Sequence, residues 1–416
     1  MYLNSDSHTD PRPAAESDSA LRPVTRSAGS WLINRALACI KRGQITIILP
    51  SDERIAHSGQ ASGSAGMLEV HSLRTFYRLL TRGDLGFAEG YMAGDWTSPD
   101  LPSLLAVLAE NVAHFDRIDG GFWPVQLWRR VAHALKRNSA KGSRRNIAFH
   151  YDLGNDFYQL WLDDSMSYSS AIAVEPGQSL EQAQRARLGQ IAKLLHPDKS
   201  ADVLEIGFGW GGLATTLAPH FRTITGLTLS TEQLAFAQQR VAAEGFAETI
   251  DLRLQDYRAV TGQFDRIVSI EMLEAVGEAY WPTYFAKLAE CLKPGGRIVL
   301  QAITIHPDRY AAYKRKPDFI QHYVFPGGML PTPDIMTAQA ARAGLQITAT
   351  QTFAAGYAAT LAAWRARFLQ AWPEVAKLGF DERFRRLWDY YLSYCEAGFR
   401  IGTIDVGLYV LAHEAA

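Results

Sequence analysis

The stretch richest in chemistry is Val203-Leu204-Glu205-Ile206-Gly207-Phe208-Gly209-Trp210-Gly211-Gly212, a β-rich run that breaks into glycines and then into helix formers. Glycines at a strand-to-helix turn let a ligand approach the backbone where a Cβ would block it. Gly207, Gly209 and Gly212 match a dinucleotide fingerprint. A nicotinamide site, however, also wants an acidic residue about twenty positions on, at the end of the next strand. There the chain reads Gly226-Leu227-Thr228-Leu229-Ser230, with no carboxylate. Glu205, two residues before the first glycine, better suits S-adenosylmethionine, which has no pyrophosphate and presents an amino group and a sulfonium. Asp256, in Gln255-Asp256-Tyr257, offers a carboxylate to an adenine amino group, and Leu292-Lys293-Pro294-Gly295-Gly296 is a turn ahead of a later strand.

A second constellation is electrostatic. Arg129, Arg130, Lys136, Arg137, Lys141, Arg144 and Arg145 occur with no acidic residue between them. Beside them Phe122, Trp123, Val125, Leu127, Trp128, Val131 and Leu135 form an apolar complement, an arrangement suited to an interfacial helix over phospholipid headgroups. A linker helix packed on the next domain satisfies the same pattern. No nucleic-acid recognition fold accompanies the patch, so nucleic acid is not an expected partner.

These residues need elements to position them. Val203–Ile206, Thr223–Leu227, Ile250–Leu254, Arg266–Ile270 and Arg297–Ile303 read as strands; 213–218, 231–244 and 281–292 read as helices. Such alternation predicts βαβ units around a mostly parallel sheet, an α/β Rossmann-like fold. Ahead of it, 31–40 reads as a short helix, 44–49 as a strand turning at Pro50-Ser51-Asp52, and 58–66 as a Gly/Ser/Ala spacer. Next, 68–70 reads as a strand, 73–80 as a helix, and Gly83, Gly86, Gly90 and Gly94 as punctuation of a turn-rich stretch. The expected organisation is a disordered leader over 1–30, a small α+β domain over 31–118, a basic amphipathic linker over 119–146 and a catalytic domain over 147–416.

Composition sets outer limits. The 416 residues, 47% hydrophobic, suffice for a large core. Lys+Arg 42 against Asp+Glu 43 gives a net charge of −1, so any electrostatic targeting is local. Cys39, Cys291 and Cys395 show neither CxxC spacing nor a nearby His pair. That pattern predicts no metal site or disulfide framework, and it fits a reducing, cytoplasmic setting. No run reaches the roughly 18 apolar residues of a spanning helix, so membrane contact is expected to be peripheral, at the inner face.

Beyond the glycine loop, several ordered motifs accumulate. They are Phe149-His150-Tyr151-Asp152-Leu153-Gly154-Asn155-Asp156-Phe157-Tyr158, Met166-Ser167-Tyr168-Ser169-Ser170-Ala171, Thr228 with Gln233, Met272-Leu273-Glu274-Ala275-Val276-Gly277 and Phe325-Pro326-Gly327-Gly328. Together they resemble the cyclopropane-fatty-acyl-phospholipid synthase family, which includes the mycolic acid methyltransferases. The resemblance runs from about Trp31 to the C-terminus. Gly83-Asp84-Leu85-Gly86-Phe87-Ala88-Glu89-Gly90-Tyr91 and Gly94-Asp95-Trp96 look like the N-terminal domain of the phospholipid-acting members.

The resemblance implies methyl transfer from S-adenosylmethionine to a cis double bond of an acyl chain in a membrane phospholipid, giving a cyclopropane ring. The alkene is a weak nucleophile, and the resulting carbocation must be kept from water and then deprotonated. Aromatic faces and one base are required. By matching motifs, Tyr168, Ser169, Gly207, Gly209, Thr228, Gln233 and Asp256 would hold the cofactor. The family's base is a bicarbonate ion, which here points to Glu274, Tyr391 and the Ile303 backbone. Family members are often dimers, an analogy that extends to a homodimer here.

Two positions depart from the family pattern. Its Tyr-Ser-Cys-Ala reads Tyr168-Ser169-Ser170-Ala171, and its Leu-His-Thr-Ile reads Leu300-Gln301-Ala302-Ile303. Ser170 and Gln301 can hydrogen-bond an anion, but neither titrates near neutrality as His does. Loss of a neighbouring proton would instead leave a methyl-branched or methylene-bearing chain. Small-molecule N-methylation is a further alternative, since some plant amine methyltransferases share the C-terminal domain; the lipid-type N-terminal unit argues against it.

Overall fold

The computed structural model describes residues 33–34, 36–116 and 153–414. Residues 33–34 and 36–37 are helical. The expected leader over 1–30, the basic linker over 119–146 and the motif residues Phe149 to Asp152 lie outside the described residues. The chain from Cys39 onward forms one compact unit.

Its first part is a four-stranded sheet in the order β2-β1-β3-β4. β1 (Arg42–Ile48) and β2 (Arg54–Ser58) form the expected hairpin, and β3 (Ala61–Val70) runs parallel to β1 before pairing with β4 (Trp96–Thr97). Most of the stretch expected as a spacer is therefore strand. Ala61-Ser62-Gly63-Ser64-Ala65-Gly66 has little β-propensity of its own, but β1 supplies a ladder for it. At Gly66 a Cβ would lie 2.6 Å from the Leu104 Cα, so the small residue is a packing requirement.

The turn-rich stretch expected around Gly83 to Gly94 is overturned at Gly86 and Gly90, which are helical, while Gly94 (φ 77°) does lie in a turn after the helix. The chain is helical over Arg74–Met92, broken only at Gly83 (φ 60°, ψ −138°). Gly86 permits contact instead of a turn, because a Cβ there would sit 2.0 Å from the Arg78 carbonyl oxygen. Tertiary packing has overridden a local signal that by itself reads as turn.

The second sheet has seven strands in the order β10-β11-β9-β8-β5-β6-β7. β5 (Asp198–Ile206), β6 (Phe221–Thr228), β7 (Ile250–Leu254), β8 (Phe264–Ile270) and β9 (Leu292–Ile305) are parallel. β11 (Ile404–His413) runs antiparallel between β9 and β10 (Leu345–Thr352). This is the Rossmann-like α/β sheet that the alternation predicted. The Pro294-Gly295-Gly296 turn is absorbed as an irregularity at the start of β9, with Gly295 at φ 73°. Val203, Leu204, Ile267, Val268, Ile298 and Val299 are fully buried, as expected for parallel strands covered on both faces.

Strand order reverses between β5 and β8, since β5 leads outward to β6 and β7 while β8 leads the other way to β9. In such sheets ligands settle beyond the carboxyl ends of the strands at this reversal. Glu205 ends β5 and Glu271 follows β8, so two carboxylates flank that crevice.

The two sheets are joined by the helix Glu382–Arg400, which packs on the helices Leu101–Glu110 and Arg74–Met92. The Tyr91 hydroxyl donates to Asp389 Oδ2 at 2.5 Å, and Arg365 Nε donates to Asp389 Oδ1 at 2.5 Å. The Tyr323 hydroxyl adds a bond of 2.6 Å to Glu89 Oε1. The helix that carries Tyr391 is thus clamped from the side of the first sheet.

Candidate active site

The glycine loop closes over the end of β6. The Gly207 N–H donates to the Leu227 carbonyl at 2.9 Å, and Gly207, Gly209 and Gly211 take φ of 85°, 56° and 85°, values that an L side chain rarely adopts. A Cβ on Gly209 would meet nothing within 4 Å, so open space lies beside the backbone there. Trp210 donates from Nε1 to Asn155 Oδ1 at 2.7 Å, tying the loop to the helix Asn155–Gln159.

Glu205 is buried, and its Oε2 has no hydrogen-bond partner among the described residues. Burial lifts this carboxyl to about 8, while the Arg187 guanidinium pulls in the opposite direction. An unpartnered buried carboxylate oxygen is costly unless something cationic or donating reaches it. An amino group beside the glycine loop meets that need, so the residues fit S-adenosylmethionine.

Thr228 and Gln233 lie together at the end of β6, where the Thr228 hydroxyl donates to Gln233 Oε1 at 3.1 Å and accepts from the Ser230 N–H at 3.2 Å. Asp256, at the end of β7, accepts from Arg258 at 2.9 Å (Nε) and 2.6 Å (NH2), so its carboxylate is held in a fork.

The second half of the site gathers at β8 and β9. Glu274 lies in the short helix Leu273–Val276, its Oε1 accepting from the Ile303 backbone N–H. Its Oε2 is buried and has no partner among the described residues. Burial, with the neighbouring Glu271 carboxylate, raises Glu274 to about 8.

Tyr391 is 5% exposed, and its hydroxyl is 2.9 Å from the Tyr168 hydroxyl. Burial pushes the phenol well above its usual range, so it stays protonated. Its neighbours are sorted by helical geometry. Tyr390 and Tyr394, one turn apart, stack on each other and lie against Phe319. Tyr391 is rotated away from them, towards Trp388 and Tyr168.

An aromatic wall surrounds this point. Phe157, Tyr158, Trp161, Tyr168, Trp364 and Trp388 form a chain of ring contacts with centroids 5.1–6.0 Å apart. Such faces exclude water and stabilise cationic character.

Sequence reasoning missed the centre of the network, Glu271, to which it gave no role. Glu271 Oε1 accepts from the Ser170 N–H at 2.9 Å and from Gln301 Nε2 at 2.6 Å, and Oε2 accepts from the Tyr357 hydroxyl at 2.7 Å. Its own N–H donates to the Gln301 carbonyl at 2.7 Å. Its φ of 48° is strained for a residue with a Cβ, a cost of order 1–3 kcal/mol that structures tolerate where function requires it.

Arg187, 2% exposed, extends the network. Its NH1 donates to Gln301 Oε1 at 3.3 Å and its Nε to Gln184 Oε1 at 3.0 Å, while Gln184 Nε2 donates to the Ser169 carbonyl at 2.8 Å. The guanidinium feels both Glu271 and Glu205, linking the two carboxylates of the crevice. Two signals were available: Gln184 and Arg187 sit on the apolar face of the helix Leu180–Leu194, and Glu271 directly follows the β-rich run that becomes β8.

The groups assigned to bicarbonate are already bonded within the chain. The Ser170 hydroxyl donates to the Ala171 carbonyl at 2.6 Å, Gln301 bridges Glu271 and Arg187, the Ile303 N–H serves Glu274, and Tyr391 pairs with Tyr168. A free bicarbonate does not fit this donor set as it stands.

The family described as mycolic acid cyclopropane synthetase matches residues 138–408. A tuberculostearic acid methyltransferase of Mycobacterium tuberculosis is 40% identical over 366 residues, 86% of this chain and 86% of that protein. A cyclopropane-fatty-acyl-phospholipid synthase of Escherichia coli is 37% identical over 371 residues, 86% of this chain and 91% of that protein. Among solved structures, a cyclopropane synthase from Mycobacterium tuberculosis superposes with a TM-score of 0.61 at 29% identity, covering 65% of this chain and 98% of that one.

Proposed function

The chain belongs to the mycolic acid cyclopropane synthetase family, and from that premise we propose an S-adenosylmethionine-dependent C-methyltransferase acting on the cis double bond of unsaturated acyl chains in membrane phospholipid. One observation carries the reading: two buried carboxyls, Glu205 and Glu274, each keep an unpartnered oxygen at the crevice where the strand order reverses.

S-adenosylmethionine supplies an electrophilic methyl group on a sulfonium centre. Glu205 takes its amino group, the backbone of Gly207 and Gly209 gives it close approach, Thr228 and Gln233 bind beside the loop, and Asp256 receives the adenine. Tyr168 and Ser169 close the site from the opposite side. The aromatic wall excludes water and faces the positive charge that develops on the acyl chain. Glu274 stands at the end where a proton must leave, flanked by Tyr391, Ser170, Gln301 and the Ile303 backbone.

Where that proton leaves decides the product. Loss from the newly added carbon closes a cyclopropane, the first reading. Loss from a neighbouring chain carbon gives a methyl-branched alkene, and a hydride shift followed by loss from the added carbon gives a methylene-bearing chain. Ser170 and Gln301, standing in place of Cys and His, and the 40% identity to a tuberculostearic acid methyltransferase favour this second reading.

Among the described residues no helix is long and apolar enough to cross a membrane. We propose that the basic stretch from Arg129 to Arg145 docks the protein peripherally on the anionic inner face, and that it acts as a homodimer. Mass spectrometry of total fatty acids from a host lacking its own cyclopropane synthase tests the reaction. Chains heavier by one methylene unit support it, with the retained double bonds distinguishing branching from ring formation. No gain, with the cofactor still bound by the purified protein, overturns the acyl-chain reading.

A further inference from the structure

The donors that would hold a diffusible anion are gathered instead around a carboxylate of the chain itself. The Ser170 N–H, Gln301 Nε2 and the Tyr357 hydroxyl converge on Glu271 at 2.9, 2.6 and 2.7 Å, and the Arg187 guanidinium lies behind Gln301. Glu274 follows three residues later with its Oε2 unpartnered. Both glutamates are half-buried as whole residues, with Glu274 Oε2 itself buried, while Ser170 and Gln301 are at 0% and 1% exposure.

We propose that Glu271 is a built-in replacement for the bicarbonate of related enzymes, so that the reaction needs no dissolved anion and the proton leaving the acyl chain passes to Glu274 Oε2. In that step a C–H bond breaks, either on the newly added methyl group, for ring closure, or on a carbon adjacent to the cationic centre, for a double bond. Its electron pair closes the ring or forms the double bond, and the proton forms an O–H bond on Glu274, later lost to water. Glu271 is a positioning residue here: its carboxylate, held by three donors, stands beside the developing cation and opposes a second charge on Glu274. The left-handed φ of Glu271 accompanies this role, with the carboxylate turned back onto Gln301 of β9 and the Ser170 N–H.

The proposal rests on the C-methyltransferase reading, and the test separates the two. Turnover of the wild-type protein is measured in carbon-dioxide-free buffer with and without added bicarbonate, and binding of carbon-13 bicarbonate is followed by NMR line broadening. The wild type is expected to turn over equally well in both buffers and to leave the bicarbonate line sharp. Glu271→Gly, which suits the positive φ and opens a cavity, is expected to lose activity on the order of tenfold or more. It should regain activity with bicarbonate or formate and broaden the bicarbonate line. A purely structural role for Glu271 would show no anion rescue.

Bicarbonate-dependent wild-type turnover, or bicarbonate bound by the wild type, overturns the proposal. If Glu271→Gly does not fold, Glu271→Gln takes its place, with lost activity and no rescue expected, and the wild-type arms decide the outcome. Absence of any acyl methylation defeats the functional reading, while the NMR arm still decides whether Glu271 fills the anion position.

Discussion

The hydroxyls of Tyr168 and Tyr391 lie 2.9 Å apart, although 223 residues separate them in sequence. The bond joins the motif expected to hold the cofactor to the helix expected to serve proton removal. Tyr391→Phe keeps the ring contact with Trp388 and removes only the hydroxyl. Loss of one buried hydrogen bond that acts in the reaction, about 1–3 kcal/mol, predicts a fall in kcat of roughly 5- to 150-fold with little change in cofactor affinity. Steady-state kinetics together with titration calorimetry would check this. Unchanged kcat would remove Tyr391 from the reaction.

Glu205→Gln removes the charge that an amino group would meet at the end of β5. A charge-assisted hydrogen bond contributes about 1.5–3 kcal/mol, so the affinity for S-adenosylmethionine is expected to fall by one to two orders of magnitude. Calorimetry with the purified variant gives the number. Full affinity would place the amino group elsewhere.

Glu274, raised to about 8 by burial and by Glu271, must be ionised to accept a proton. Turnover is therefore expected to rise with pH and level off above about 8. Glu271→Gln removes the like charge and should move that limb to lower pH, even as the rate falls. Glu274→Gln should abolish most turnover and leave cofactor binding intact. A pH profile flat between 6 and 9 would exclude Glu274 as the acceptor.

The same groups tie stability to pH. Glu205 and Glu274 have folded values of about 8, above the ordinary 4.5 of an unfolded chain. The stability they contribute is complete below the unfolded value and is lost as pH rises through about 8. Thermal melts of the ligand-free protein should therefore fall in Tm from pH 5 to pH 9, and Glu205→Gln should flatten that fall. An equally steep fall in the variant would place the titration on other groups. Saturating S-adenosylmethionine should raise Tm most at the alkaline end.

Membrane docking through the basic stretch predicts that replacing Arg129, Arg130, Lys136 and Arg137 with Ala weakens binding to anionic vesicles. Each charge near the surface contributes about 1 kcal/mol, so four removed together give a change easily seen in vesicle sedimentation. Binding that is unaltered, or insensitive to salt, would assign the stretch to packing on the protein.

Local pattern was enough for the strands that carry the chemistry. Residues 203–206, 223–227, 250–254 and 266–270 read as strands because short β-branched runs between turn signals have few other solutions, and all four lie in the parallel sheet. Local pattern failed over 58–66 and at Gly86 and Gly90, where glycines that read as turns admit close neighbours inside a strand and a helix. Partners such as Leu104, far along the chain, make those contacts.

Residue types at short spacing were enough to read the α/β class, the glycine loop with Glu205 beside it, and a sulfonium cofactor over a dinucleotide. Tertiary structure alone decided the roles of Glu271, Arg187, Gln184 and Tyr357, and the separation of Tyr391 from Tyr390 and Tyr394. Those roles depend on which buried donor meets which acceptor across strands and helices distant in the chain. A buried carboxylate takes its charge state from that three-dimensional company and not from its immediate sequence neighbours.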